Sequence, residues 1–82
     1  MATFMDVHHG MNGITADQLA AAHRADLAIQ AEEHVNFKQV WGDPETGTVY
    51  CLSDAPSKEA VQRVHDRAGH RADEIHHVPL TA

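Results

Sequence analysis

The sequence predicts an α+β fold. Four short strands and two helices follow in the order β-α-β-β-α-β. This gives a four-stranded antiparallel sheet with two helices on one face. Three observations predict it. Two stretches rich in good helix formers each begin at a hydroxyl residue, Thr15 and Ser57. Four short runs carry Val, Phe, Ile, Tyr and Trp between them. The segment Asp43-Pro44-Glu45-Thr46-Gly47 has the chemistry of a turn joining the middle two runs as a hairpin.

In chain order, residues 3–9 read as the first strand, broken by Gly10, Asn12 and Gly13. Helix one opens at Thr15, with Gln18 at capping-box spacing and Asp17 suited to the positive end of the dipole. It runs to about His34, and Leu19, Ala20, Leu27 and Ala31 fall on the side expected to face a core. Val35 to Trp41 is strand two and Thr48 to Ser53 is strand three. Helix two starts at Ser57, turns Val61, Val64 and Ala68 inward, and stops at Gly69. Asp73 to Leu80 is strand four. This is the ferredoxin-like arrangement, with residues 1–82 forming one domain.

A chain of 82 residues buries only about 60–65% of its unfolded surface, so a monomer is marginal. The sheet face without helices carries partly apolar residues. Both points predict a homodimer formed through the sheet. A formal charge of −6 argues against nucleic acid and anionic membranes as partners. There is no long apolar run and no signal-peptide pattern, and the single Cys51 fits a reducing compartment; the expected location is cytoplasmic.

Histidine is the outlier, with eight dispersed along the chain. Imidazole binds late transition metals and titrates near neutrality. In a β-α-β-β-α-β sheet, strand four lies antiparallel beside strand one. His8 and His9 then approach Asp73, Glu74 and His76, and His70 enters the same neighbourhood. Adjacent strand residues face opposite ways, so His8 and His9, like His76 and His77, each supply one ligand to each face. His23 lies between Leu19 and Leu27 with Asp26 three residues on. It reads as a buried, hydrogen-bonded histidine, as a metal ligand, or, with Asp26, as an acid-base pair. His65 falls at the edge of the apolar side of helix two. Cys51 reads as a core residue, and Phe37, Trp41 and Tyr50 read as core or dimer contacts. No phosphate loop, nucleophile elbow or zinc-protease motif is present.

The metal ligands expected are therefore His8, His9, His23, Asp26, His65, His70, Glu74, His76 and His77. Imidazole and carboxylate donors without clustered thiols suit nickel, copper, zinc or cobalt, and leave the choice among them open. The runs Phe4-Met5-Asp6-Val7-His8-His9, Ala22-His23-Arg24-Ala25-Asp26-Leu27 and Gly47-Thr48-Val49-Tyr50-Cys51-Leu52, with Thr15-Ala16, Ala60-Val61, Val64-His65 and Gly69-His70, resemble a family of small actinobacterial nickel-binding, ferredoxin-like proteins. The resemblance covers nearly the whole chain. It implies a cytoplasmic homodimer that binds nickel(II) at surface sites and sequesters excess metal; the role expected from the histidines and this resemblance together is non-enzymatic. Metal-driven assembly of dimers, through histidines on their surfaces, is a further expectation. The rival reading is a small dimeric enzyme, resembling monooxygenases or isomerases of this fold, with His23 and Asp26 as the acid-base pair.

Overall fold

Alternation along the first strand sets the architecture. In the computed structural model, which describes residues 1–82, β1 (Ala2–His8) turns Phe4, Asp6 and His8 toward the helices. The sheet order is β2-β3-β1-β4, with every neighbouring pair antiparallel. The chain is thus ferredoxin-like, and the first and last strands run side by side. β2 (Asn36–Asp43), β3 (Thr48–Ala55) and β4 (Glu74–His77) complete the sheet. β4 is shorter than expected: its ladder covers only Phe4 to Val7 of β1, with one further bond from the Val78 N–H to the Thr3 carbonyl at 3.0 Å.

Helix α1 (Ala16–Ile29) starts as predicted. Thr15 Oγ1 accepts from the Gln18 N–H, and the Gln18 side chain accepts from the Thr15 N–H. Its end differs from expectation. The helix stops at Ile29, and Gln30–Glu33 form a 3-10 turn closed by His34 at φ +59°. Gln30 holds the corner, since its Oε1 accepts from the Phe37 N–H at 2.8 Å. Glu32 and Glu33 sit badly at the negative end of a helix and instead pair with Arg67 and Arg63 of the second helix.

The inward face of α1 also differs. Ala20 and Ala31 are exposed and Leu27 is 38% exposed, whereas Leu19, Ala22, His23, Asp26 and Ile29 are half-buried or buried. The helix is rotated because Asp26, a carboxylate, has partners inside. Helix α2 (Lys58–Ala68) carries the Ser57 cap and ends at Gly69, whose φ of +89° suits glycine. Ala60, Val61, Val64 and His65 are fully buried and meet Phe4, Val35, Phe37, Val49, Cys51 and Ala55 in the core.

The open face of the sheet carries Met5, Val7, Leu52, Trp41 and Tyr50, with Glu74 and His76. A bulge between Phe37 and Gln39 switches the alternation of β2. Phe37 therefore points into the core, while Trp41 pairs with Tyr50 on the open face, each about 40% exposed.

Candidate metal centre

Two clusters of donors emerge, on opposite faces of the sheet. The outer one lies at the β1–β4 edge. Val7 pairs with Glu74 and Met5 with His76, so Glu74 and His76 share the open face. His9 follows the strand, and its backbone N–H donates to Asp73 Oδ2 at 2.7 Å. Its Nε2 then lies 2.6 Å from Glu74 Oε2, and His76 Nε2 lies 3.0 Å from Glu74 Oε1. Contacts from the two imidazoles hold the Glu74 carboxyl below its usual range. The three side chains are about half exposed and open to solvent.

The inner cluster is built from residues distant in sequence. β1 supplies Asp6 and His8, β3 supplies Cys51, α1 supplies Asp26, α2 supplies His65, and the turn after α2 supplies His70. His65 is fully buried between two carboxylates. Its Nδ1 donates to Asp26 Oδ1 at 3.0 Å, and its Nε2 lies 2.9 Å from Asp6 Oδ1. His8 Nε2 is 2.9 Å from the same Asp6 oxygen, and His70 Nε2 is 3.0 Å from Asp26 Oδ1. The five side chains form one chain of contacts, His8–Asp6–His65–Asp26–His70.

Burial by itself disfavours the charged form of each member. It would lower the pKa of His65, but Asp26 and Asp6 on either side outweigh it and push the imidazolium up to about 11. Burial would likewise raise Asp6 and Asp26. Contacts from His65 and His8 hold Asp6 below the usual carboxylate range, and contacts from His65 and His70 do the same for Asp26. Burial pushes the Cys51 thiol up to about 11, helped by the nearby Asp6 charge. Beside the cluster lies a cavity of about 50 Å³ between α1 and the sheet, lined by His8, Cys51, Asp26, His70 and His23 among apolar side chains.

The expected ligands therefore divide. His9, Glu74 and His76 converge as predicted. His8 and His70 do not join them: both point to the helix side of the sheet, because His8 shares the face of Phe4 and Asp6. His65 is at the centre of the core rather than at its edge. Asp26 is not the partner of His23. It contacts His65 and His70, and His23 Nδ1 is buried without a partner. His77 stands apart, exposed and against the Phe4 ring. Two donors were missed by sequence reasoning, Asp6 and Cys51. The signal for Asp6 was present: at period two it lies between Phe4 and His8 on the buried face.

A ferredoxin-like fold with imidazole and carboxylate donors gathered on both faces of its sheet defines a candidate metal-binding protein. The comparisons place it further. The family of nickel-responsive proteins like SCO4226 matches residues 4–78, and the chain belongs to that family. The crystal structure of SCO4226 from Streptomyces coelicolor A3(2) superposes with a TM-score of 0.98. The two are 68% identical, and the match covers 99% of this chain and 100% of that one. No curated protein matches the chain. No helix is long and apolar enough to cross a membrane.

Proposed function

We propose that the protein binds nickel(II) through surface histidine and carboxylate ligands and acts in sequestration, buffering or detoxification of the ion. The carrying observation is the outer cluster, where Glu74 lies between His9 and His76 at 2.6 and 3.0 Å. Two imidazoles and a carboxylate, open to water, suit a nickel ion that keeps solvent in its remaining positions. Membership of a nickel-responsive family supports the same metal. Exposure suits storage, because an ion at the surface can be taken up and released without opening the fold. This role is non-enzymatic.

The same reading includes a cytoplasmic homodimer joined through the β2–β3 part of the open sheet face, where Trp41, Tyr50 and Leu52 have no helix above them, so that the Glu74 cluster at the β4 edge stays open to water. Histidines left on the outside of such a dimer would let metal bridge one dimer to the next. Calorimetric titration of nickel in a non-coordinating buffer tests the metal assignment. The wild type should give saturable heat, and His9→Ala/His76→Ala should lose the surface component. Absence of both heat and a thermal shift in the wild type overturns the reading.

A further inference from the structure

We propose that Asp6, His8, Cys51 and His65 form a second, interior site that holds a zinc-class divalent cation in four-coordinate geometry. It uses none of the surface ligands and does not depend on the nickel reading.

At His8 the hydrogens can be counted. Its Nδ1 lies 3.1 Å from the Arg71 carbonyl oxygen, which can only accept, so Nδ1 carries the hydrogen. In the neutral ring Nε2 then presents a lone pair. That lone pair faces Asp6 Oδ1 at 2.9 Å, with Cys51 Sγ at 3.9 Å from the same nitrogen. Two acceptors this close require a cation between or beside them. A proton can serve, and so can a metal.

Other polar atoms of the cluster are left over. His65 Nε2 is 2.9 Å from Asp6 Oδ1 but is not aligned as a hydrogen bond. It and Asp6 Oδ2 are buried without hydrogen-bond partners, and both residues are 0% exposed. Buried polar atoms in native proteins are mostly satisfied by protein, water or an ion, so these two positions have room for a ligand. The two imidazoles are also backed as ligands are. Metal-binding histidines characteristically donate their other ring N–H to a carboxylate or a backbone carbonyl. Here His65 Nδ1 faces Asp26, and His8 Nδ1 faces Arg71. Both rings are already oriented for ligation.

Geometry and chemistry agree. Donor atoms of the four residues lie within 4.8 Å of one another. A tetrahedral ion with bonds of about 2.0–2.3 Å needs its ligands about 3.3–3.8 Å apart, so shifts of roughly 1 Å suffice. Binding releases the Cys51 thiol proton and the His65 Nε2 proton to solvent, and one carboxylate and one thiolate then balance a divalent charge, which lowers the cost of burying the ion. The cavity beside Cys51 and His8 supplies a route inward. Two nitrogens, one oxygen and one sulfur in four-coordinate geometry suit zinc and cobalt, whereas nickel favours square-planar or six-coordinate sites.

The test is cobalt(II) added to the full chain after chelator treatment. One equivalent per chain should produce a thiolate-to-cobalt charge-transfer band and intense visible bands of four-coordinate cobalt. Zinc should abolish both. The charge-transfer band should vanish in Cys51→Ser and persist in His9→Ala/His76→Ala, while Cys51→Ser keeps its surface nickel binding. The wild-type spectrum decides even if the variant folds poorly. Weak six-coordinate bands alone, or a charge-transfer band that survives Cys51→Ser, overturns the interior site without touching the nickel assignment.

Discussion

The His65 imidazolium makes the metal-free fold sensitive to alkali. Its pKa rises from the ordinary imidazole value of 6.5 to about 11 in the folded protein. A base whose folded pKa is raised stabilises fully below the unfolded value, and that stability is lost as pH climbs through the folded value. Between about pH 6.5 and 9 the folded state holds one proton more than the unfolded chain. Cys51, moved from 9.0 to about 11, adds a second proton above pH 9. Each proton costs about 1.4 kcal/mol of stability per pH unit. From about pH 7 to 9 the loss is therefore about 3 kcal/mol. For a domain of this size, 1 kcal/mol moves the melting temperature by about 4–8 °C, so a fall of about 12–24 °C is expected. Thermal melts followed by circular dichroism, with chelator present, measure it. Cys51→Ser should keep the fall between pH 7 and 9 and lose the steepening above it. A melting temperature that stays level from pH 7 to 9 refutes the reasoning, because His65 would then carry no extra proton in the fold.

Other expectations are separable from this one. Nickel affinity should weaken between about pH 7.5 and 5.5, since imidazole must be neutral to ligate. Glu74 remains ionised across that range because His9 and His76 hold its pKa down, so an unchanged affinity would count against histidine ligands. Trp41→Asp with Tyr50→Asp should convert a dimer to a monomer in light-scattering chromatography; a dimer that survives both charges places the contact elsewhere. Gly47 sits at φ +72°, and a Cβ there would come 2.5 Å from Asn12 Oδ1 and 2.7 Å from the Asn12 nitrogen. Gly47→Ala should cost about 2 kcal/mol or more in urea denaturation, from the left-handed backbone and the displaced loop together; an unchanged midpoint would mean that the loop gives way freely.

The elements and their order are written in the chain. Thr15 with Gln18, Ser57, Gly69 and the Asp43–Gly47 turn act within a few residues of themselves, so their structure is local and legible. The adjacency of first and last strands followed from the order, and with it the meeting of His9, Glu74 and His76. Local signals were less decisive where side-chain partners came from afar. Helix α1 could not be given its true inward face, because Asp26 is buried only by virtue of His65, 39 residues away, and His70. The β2 bulge likewise sent Phe37 and Trp41 to opposite faces, which simple alternation does not foresee.

Which histidines belong together follows from how the folded elements pack. Strand pleating separates His8 from His9 onto opposite faces of one sheet, and helix packing then brings His65 down onto Asp6. Spacing along a chain fixes which residues can share a face. It does not fix which faces meet, and a buried charge is stable only where opposite charge or a proton meets it.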